Sequence, residues 1–213
     1  MNKKILVVGG KKLSGSLHNQ TSKNATLPIM AGAILNDGTT TLHNIPKLLD
    51  IENMIKILED LGIKTKYNGN RDLILDCKDI NKFVLNAELS KSLRSSIFLL
   101  GPMLARFKKV TISYPGGCDI GNRPIDLHLS GLKELGVKII ERHSLIFCDG
   151  KNMHANTVHL DFPSVGATEN LMMASVFLKG TTRIINSAKE PEIIDLQNFL
   201  NAMGAKIKGA GTT

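Results

Sequence analysis

The chain has 213 residues, of which 42% are hydrophobic, so it can bury a sizeable core as one large domain or two small ones. Its formal net charge is +8, but the lysines occur singly or in pairs and only nine residues are aromatic, seven Phe and two Tyr. This pattern disfavours a nucleic-acid partner, and small anionic substrates explain the excess charge equally well. No segment approaches the roughly 20 apolar residues that span a membrane.

The three cysteines, Cys77, Cys118 and Cys148, form an odd set without a Cys-x-x-Cys spacing. Neither a disulfide framework nor a structural zinc site is expected from them, and a reducing compartment suits them best. The apolar run Ile5-Leu6-Val7-Val8 is too short for a signal peptide and lacks a cleavage pattern. We therefore expect a folded cytoplasmic protein without a metal, a cofactor or a membrane span.

The first predicted unit begins with Ser22, a residue type that caps helix N-termini, before an apolar helix from Thr26 to Leu35. A short threonine-rich strand and a second, amphipathic helix follow. This second helix is indicated by apolar residues at helical spacing: Ile51, Met54, Ile55, Leu58 and Leu61. Gly62 is then predicted to cap the helix C-terminus ahead of another strand.

The second predicted unit has the same order, with Ser92 at its start, an apolar helix from Leu93 to Ala105 and a cap at Gly136. Its later helix begins at Pro124 and carries Asp126 and His128. An Asp-x-His pair can orient an imidazole, but it offers too few ligands for a metal. We interpret His128 as a structural residue or a substrate contact. Cys77 and Cys148 lie in apolar, strand-like settings and are interpreted as structural.

The third predicted unit has an apolar helix from Thr168 to Phe177 and a cap at Gly204. A shift of 142 residues aligns it with the first unit: Ser22-Lys23-Asn24-Ala25-Thr26 falls on Ser164-Val165-Gly166-Ala167-Thr168, and Gly38-Thr39-Thr40 on Gly180-Thr181-Thr182. Leu132 to Lys138 resembles Leu58 to Lys64 in the same way. Three units of about 70 residues thus predict a pseudo-threefold α/β domain, with apolar helices at the centre wrapped by mixed sheets and amphipathic helices.

If the three units pack symmetrically, the turns at Ser22, Ser92 and Ser164 present three helix N-termini to one place. The amides and dipoles of helix N-termini favour anions. Lys23 and Arg94 sit at two of these turns. A basic residue there opposes the helix dipole, and although solvation explains one such residue, two favour a bound anion.

The stretch Pro115 to Pro124 combines a thiol, a carboxylate, a guanidinium and several glycines within ten residues. Glycines let backbone amides approach a ligand closely, and Arg123 can grip a phosphate or carboxylate with its planar fork. A nearby guanidinium lowers the pKa of a thiol while Asp119 opposes that shift, so Cys118 can serve as a proton donor or nucleophile. An ordinary surface turn with an unmodified cysteine is the alternative interpretation.

These segments resemble the enolpyruvyl transferase family, and within it the UDP-N-acetylglucosamine 1-carboxyvinyltransferases of peptidoglycan precursor synthesis. The similarity runs along essentially the whole chain. The segments that carry it are Ser22 to Pro28, Leu93 to Ser96, Pro115 to His128, Ser164 to Thr168 and Ala188 to Ile193. The resemblance implies an inside-out α/β barrel of three repeats, one of two such domains that flank a cleft. It also implies transfer of enolpyruvate from phosphoenolpyruvate to the 3′-hydroxyl of UDP-N-acetylglucosamine, with release of phosphate.

By the same resemblance, Cys118 corresponds to the family's proton donor, which fosfomycin can alkylate. Lys23 and Arg123 correspond to residues that hold the charges of phosphoenolpyruvate. The residues expected to line the sugar-nucleotide site are Asn24, Arg94, Arg123, Pro124, Ile125, Asp126, Leu127, Ser164 and Val165. No metal or other cofactor is implied.

The chain departs from the family pattern in two residues and in length. Thr21 stands where a glycine is usual, and Phe162 where a lysine is common. The resemblance implies that residues 1–21 form a strand segment of a second domain, while residues 22–213 form the three-repeat domain. That second domain also supplies an aspartate base and an arginine. The hypotheses are therefore a transferase completed by a second half, a noncatalytic UDP-sugar-binding or interaction domain, half of a split enzyme, and the related shikimate-pathway transferase.

Overall fold

Seven α-helices, two 3-10 helices and eight strands are present in the part of the chain that the computed structural model describes, residues 5–17, 21–69, 71–114 and 125–212. The first unit contains α1 (Lys23–Gly32), a 3-10 turn (Ala33–Leu35), β1 (Thr39–Leu42), α2 (Leu49–Asp60), β2 (Lys64–Asn68) and β3 (Asp72–Asp76). The second contains α3 (Ala87–Ser92), a 3-10 helix (Arg94–Leu99), α4 (Leu100–Phe107), β4 (Lys109–Ser113), α5 (Asp126–Glu134), β5 (Lys138–Arg142) and β6 (Leu145–Asp149). The third contains β7 (Thr157–His159), α6 (Val165–Ser175), β8 (Arg183–Ile185) and α7 (Pro191–Ala202).

The predicted glycine caps are confirmed in all three units. Gly62, Gly136 and Gly204 have φ angles of +103°, +87° and +104°, the left-handed conformation that glycine adopts without strain. After each glycine, the next amide donates to a carbonyl five residues earlier, in Leu58, Leu132 or Leu200. This is the hydrogen bond of a Schellman cap, and it ends the second helix of every unit in the same way.

The first helices of units one and three also begin alike. The hydroxyls of Ser22 and Ser164 accept hydrogen bonds from the amides three residues later, at 3.4 and 3.3 Å. The hydroxyls of Thr26 and Thr168 donate back to the carbonyls of these serines, at 2.7 and 2.8 Å. The aligned pair Asn44 and Asn186 share a φ of 57°. The 142-residue repeat therefore extends to individual hydrogen bonds and backbone angles.

Two three-stranded antiparallel sheets cover the first two units, with the strand orders β1-β3-β2 and β4-β6-β5. In the third unit β7 pairs with β8 in parallel. A parallel bridge between Val84 and Thr111 places the same kind of neighbour beside β4. β4, the strand that follows the central helix of unit two, therefore has a neighbour on each edge, β6 on one and Val84 on the other.

The central helices are buried, as predicted. All eight residues from Ala167 to Ala174 in α6 are buried, and so are the six from Leu100 to Ala105 in α4. Glycines let both α4 and α5 pack closely against α6. A methyl group added at Gly101 of α4 would lie 2.4 Å from the Asn170 carbonyl oxygen, and one added at Gly131 of α5 would lie 2.8 Å from the Leu171 side chain. The core therefore sits where the three units meet.

Two expectations about helix starts and strands are wrong. Ser92 does not cap the second central helix, because it ends α3 and its hydroxyl donates to the Leu89 carbonyl. Leu93 precedes the 3-10 helix instead and makes no side-chain cap. The strand expected after Gly204 is also missing, since residues 205–212 contain no strand. A strand needs a paired neighbour, and none lies beside this segment among the described residues.

Residues 5–17 contain no helix or strand, and their large apolar side chains are exposed. From Thr21 onward the chain joins the folded body, where the Thr21 hydroxyl donates to the Asn44 carbonyl at 2.8 Å. The assignment of residues 1–21 to a second domain stays a prediction.

Candidate functional site

Lys23 and Asn24 lie in the first turn of α1, and both are exposed. The ammonium group of Lys23 is 2.6 Å from the Asp50 carboxylate, which belongs to the first turn of α2. A lysine at a helix N-terminus opposes the helix dipole, so this carboxylate offsets an unfavourable placement. The ion pair holds the ammonium group at the N-terminal end of α1, where an anionic ligand would meet it.

The start of α5 and the start of α6 lie together. Ile125, just before α5, is buried, Asp126 is exposed and Leu127 is partly buried. Gly166, in the first turn of α6, faces His128 of α5: a methyl group added at Gly166 would lie 3.0 Å from the imidazole Cε1. Ser164 and Val165 therefore lie beside the first turn of α5.

His128 is a buried, neutral histidine. Burial, and secondarily the positive charge of Arg94, lower its pKa to about 4. The 3-10 helix that begins at Arg94 packs against α6, in agreement with the effect of the Arg94 charge on His128. The structure thus brings Arg94, at the start of the 3-10 helix, to the start of α5 and α6.

Asn170 joins these elements from within α6. Its side-chain oxygen accepts from the Gly101 amide at 2.8 Å, and its nitrogen donates to the Ile97 carbonyl at 2.9 Å. Because one partner can only donate and the other can only accept, the orientation of the amide group is fixed. The same nitrogen is 2.8 Å from His128 Nδ1, which must therefore accept and leave the imidazole proton on Nε2.

The predicted helix starts of units two and three therefore lie close together, at Arg94 and at Gly166. In the first unit, α1 packs against the 3-10 helix that begins at Arg94, and the position of its N-terminal turn relative to the other two helix starts stays a prediction. Lys23 keeps its place at the end of α1 through Asp50, a partner that the sequence analysis did not name. The roles of these residues as ligand contacts stay predictions.

Cys118, Arg123 and Pro124 lie outside the described residues. The flanking segments are described: β4 ends at Ser113 and α5 begins at Asp126. The glycine-rich stretch thus leads directly to the helix start that faces Gly166. Phe162, at the position where the family commonly has lysine, is 66% exposed shortly before α6.

The two described cysteines are structural, as predicted. Cys77 and Cys148 are free and buried. Burial raises the pKa of the Cys77 thiol to about 11 and that of Cys148 to about 12. A protonated, buried thiol is a poor nucleophile, so neither belongs to the reactive chemistry of the chain.

Glu169 is a buried carboxyl group that sequence reasoning missed. Neither of its oxygens has a hydrogen-bond partner among the described residues. Burial, followed by the nearby charges of Glu192 and Glu190, raises its pKa to about 9. The polar run Thr168-Glu169-Asn170 inside an otherwise apolar helix was the signal that could have singled out these positions.

Among the described residues, no group of three or more His, Cys, Asp or Glu side chains is arranged to hold a metal ion. None of the described helices is long and apolar enough to cross a membrane.

The sequence matches the family model of EPSP synthase (3-phosphoshikimate 1-carboxyvinyltransferase) over residues 7–213. The chain belongs to the EPSP synthase family. Within this family it is 53% identical to UDP-N-acetylglucosamine 1-carboxyvinyltransferase 2 of Caldanaerobacter subterraneus subsp. tengcongensis, over 98% of this chain and 50% of that protein. It is 48% identical to UDP-N-acetylglucosamine 1-carboxyvinyltransferase 1 of Symbiobacterium thermophilum, over 99% of this chain and 49% of the relative. The chain therefore spans about half the length of these relatives.

Two solved structures of enolpyruvyl transferases show the same fold. The enolpyruvyl transferase NikO from Streptomyces tendae matches with a TM-score of 0.80 at 19% identity, over 94% of this chain and 47% of that one. EPSP synthase from Acinetobacter baumannii matches with a TM-score of 0.70 at 16% identity, over 93% of this chain and 45% of that one. The predicted α/β fold of the enolpyruvyl transferase type is thus confirmed.

Proposed function

We propose that this chain forms one half of the active site of a UDP-N-acetylglucosamine 1-carboxyvinyltransferase. The supporting observation is its identity of 53% and 48%, along nearly its whole length, to two relatives that carry this name. The reaction transfers enolpyruvate from phosphoenolpyruvate to the 3′-hydroxyl of UDP-N-acetylglucosamine and releases phosphate. It provides a precursor of peptidoglycan, and both substrates are anions.

The described residues support anion binding at two places. Lys23 lies at the N-terminal end of α1, where its charge is available once an anion competes with Asp50. Arg94 lies near the first turns of α5 and α6, whose amides point outward from the helix starts. In the proposal, Lys23 and Arg123 hold the phosphate and carboxylate of phosphoenolpyruvate. Asn24, Arg94, residues 123–127, Ser164 and Val165 line the sugar-nucleotide site.

The chemistry assigned to Cys118 is protonation of the methylene carbon of phosphoenolpyruvate. As the thiol gives up its proton, the adjacent carbon becomes oxocarbenium-like, and the sugar 3′-oxygen bonds to it while its own proton passes to a base. In the second stage a proton leaves the former methylene carbon and the carbon–oxygen bond to phosphate breaks. The electron pair of that bond departs with the phosphate, which the cations of Lys23 and Arg123 stabilise.

The resemblance assigns the aspartate base and a further arginine to a second domain. The proposal therefore includes a complementary half that completes the site, either in the same polypeptide or as a separate chain. A noncatalytic UDP-sugar-binding domain is the second candidate, because the chain spans about half of its relatives. Free, buried Cys77 and Cys148 fit the reducing cytoplasm in which this precursor synthesis would take place.

The test measures phosphate release from phosphoenolpyruvate with UDP-N-acetylglucosamine, for the chain alone and with the second half of the Caldanaerobacter relative added as a separate polypeptide. Turnover that is lost in Cys118→Ala but kept in the matched control Cys148→Ala supports the proposed transferase. Stoichiometric UDP-N-acetylglucosamine binding without turnover under either condition favours the binding domain. Turnover with 3-phosphoshikimate in place of the sugar nucleotide would instead assign the shikimate-pathway reaction.

Fosfomycin provides a second readout of the same site. If Cys118 is the proton donor, fosfomycin adds to this thiol and leaves Cys77 and Cys148 unmodified, because both are buried and protonated. Mass spectrometry of the digested protein locates the adduct. Modification spread over all three cysteines would contradict a specific role for Cys118.

A further inference from the structure

Asn170 lies in the middle of α6 and has no exposed surface. The 142-residue repeat places Pro28 of α1 at the corresponding position of unit one, so the amide side chain has no counterpart there. A polar residue that breaks an internal repeat departs from the apolar pattern of its buried helix. Such departures are concentrated at functional sites. Asn170 is therefore a candidate for a role beyond filling the core.

The Asn170 side chain makes hydrogen bonds to three other elements. Its oxygen accepts from the Gly101 amide at 2.8 Å, in the first turn of α4. Its nitrogen is 2.9 Å from the Ile97 carbonyl oxygen in the 3-10 helix and 2.8 Å from Nδ1 of His128 in α5. A buried amide whose oxygen and nitrogen are both engaged in this way fixes one arrangement of the elements that it joins.

The residues that Asn170 binds lie next to the predicted contacts of the sugar nucleotide. Ile97 stands three positions after Arg94 in the 3-10 helix. His128 comes directly after the stretch at the start of α5 that is predicted to line the site. Asn170 itself stands six positions after Ser164, which caps α6. One buried side chain is therefore connected to three of the segments that carry the proposed site.

Gly166, one turn closer to the N-terminus of α6, shows how closely the same elements approach each other. A methyl group added there would lie 3.0 Å from Cε1 and 3.2 Å from Nε2 of His128, and 3.1 Å from the Phe98 ring. The first turn of α6 thus contacts both α5 and the 3-10 helix, the elements that Asn170 joins. A change in their spacing would alter this contact at the start of α6.

The position of the imidazole proton follows from the same network. The amide nitrogen of Asn170 can only donate, so Nδ1 of His128 accepts and Nε2 keeps the proton. Nε2 is also the ring nitrogen that lies toward Gly166. The imidazole therefore directs an N–H group, and not a lone pair, toward the first turn of α6. A hydrogen-bond donor on this side suits an anionic ligand, whereas a lone pair would repel it.

We propose that Asn170 is a positioning residue for the sugar-nucleotide site, because it holds the 3-10 helix, α5 and α6 at one spacing and keeps the His128 proton on Nε2. Asn170 does not touch the ligand and acts through the elements that it joins. This inference rests on the proposed function, since it concerns the site assigned there to UDP-N-acetylglucosamine. Loss of the network should therefore weaken binding of the sugar nucleotide and leave phosphoenolpyruvate, which Lys23 and Arg123 hold, unaffected.

The first experiment replaces Asn170 by aspartate, which has the same shape but no N–H group. Asn170→Asp can still accept from the Gly101 amide but loses both donations, to Ile97 and to His128. Isothermal titration calorimetry measures the Kd of UDP-N-acetylglucosamine for the 213-residue chain, combined with the second half of the Caldanaerobacter relative. We expect this Kd to rise about tenfold, because the contacts on three elements lose their common support.

Asn201→Asp is the matched control. The Asn201 side chain donates to the Ile207 carbonyl and accepts from the Ile207 amide, both at 2.8 Å, near the end of α7. Aspartate there also loses a donation to a backbone carbonyl while it keeps an accepted bond. Because α7 carries none of the predicted nucleotide contacts, the Kd of this variant should stay within about twofold of the parent value.

Steady-state kinetics separates positioning from a loss of folded protein. A variant that is merely less folded has fewer active molecules, so its apparent kcat falls while both KM values stay the same. A displaced nucleotide site instead raises the KM for UDP-N-acetylglucosamine and leaves the KM for phosphoenolpyruvate unchanged. We expect the second pattern for Asn170→Asp and unchanged KM values for Asn201→Asp.

Nitrogen-15 NMR of the histidine side chains tests the network directly in the parent protein. Nδ1 of His128 should have the chemical shift of an unprotonated, hydrogen-bonded nitrogen and Nε2 that of a protonated one. The His128→Gln variant assigns these signals by their absence. In Asn170→Asp the carboxylate can only accept, so Nδ1 should take up a proton. A protonated Nδ1 in the parent would contradict the proposed network even if Asn170→Asp did not fold.

The outcomes separate this inference from the proposed function. A parent that does not bind UDP-N-acetylglucosamine overturns the proposed function, and the inference falls with it. Equal Kd values for Asn170→Asp and a parent that binds overturn the inference alone. The same holds if Asn201→Asp weakens binding as much as Asn170→Asp, because both substitutions would then act only through overall stability.

Discussion

Replacing Glu169 by glutamine should make the protein increasingly stable relative to the parent as pH rises. The carboxyl group is fully buried without a hydrogen-bond partner among the described residues, and its pKa is raised from the ordinary value of 4.5 to about 9. Between these two pH values the folded state holds a proton that the unfolded state has released. Stability then falls as pH rises, by about 1.4 kcal/mol for each pH unit.

The size of the effect follows from this slope. Because Glu169 ionises in the unfolded chain but not in the folded one, the free energy of unfolding has fallen by about 3 kcal/mol by pH 7. Glutamine keeps the size of the side chain but cannot ionise, so this loss disappears. The amide of Glu169→Gln is also buried without a partner, at a cost of about 1–3 kcal/mol that does not vary with pH. The free energy of unfolding of the variant minus that of the parent should therefore rise by about 3 kcal/mol between pH 5.5 and pH 8, whatever this difference is at pH 5.5.

Urea unfolding at several pH values measures this change. The chain has no tryptophan, so far-UV circular dichroism is the suitable probe. Glu88→Gln is the matched control, since it removes an exposed carboxylate on α3 by the same substitution. The reasoning is refuted if the difference in free energy of unfolding between Glu169→Gln and the parent does not change with pH. Such a result would mean that Glu169 is ionised in the folded protein.

His128 should make the protein sensitive to acid, because its pKa is lowered to about 4 in the folded state. The free energy of unfolding should fall by about 2 kcal/mol from pH 7 to pH 4.5, and His128→Gln should lose this dependence in urea unfolding. Cys77 and Cys148 should resist iodoacetamide in the native protein at pH 7.5 and react after unfolding, as mass spectrometry can show; native labelling would contradict their burial. Gly101→Ala should destabilise by about 1–3 kcal/mol despite the better helix propensity of alanine, because the added methyl group would lie 2.4 Å from a backbone oxygen of α6. In the control Gly32→Ala the nearest atom, 3.3 Å away, belongs to a side chain that can move, so a change below about 1 kcal/mol is expected; equal unfolding free energies for the two variants would contradict this difference.

Features that depend on neighbouring residues could be predicted from the sequence. The caps at Gly62, Gly136 and Gly204 and the serine caps at Ser22 and Ser164 form within single turns, so residue type and spacing decide them. The repeat then supplied the fold class, because three similar units must bury three similar helices.

Features that join distant segments could not be predicted in this way. Asn170 binds groups that are 42, 69 and 73 residues away along the chain, and Lys23 pairs with a residue 27 positions away. Nothing in the local sequence specifies such partners. Ser92 shows the opposite error: its residue type suits a helix start, but the chain uses it to end α3. The same hydroxyl can hydrogen-bond at either end of a helix, so its role depends on the tertiary context.

The exposed N-terminal segment has a consequence for how the 213-residue chain, taken by itself, behaves in solution. Ile5, Leu6, Val7 and Val8 are each more than 80% exposed, and uncharged apolar runs of high β-propensity promote cross-β aggregation. The net charge of +8 keeps molecules apart by repulsion, but salt shortens the range of that repulsion to about 8 Å at physiological ionic strength. Colloidal stability should therefore decline as salt is added, even while the folded body stays intact.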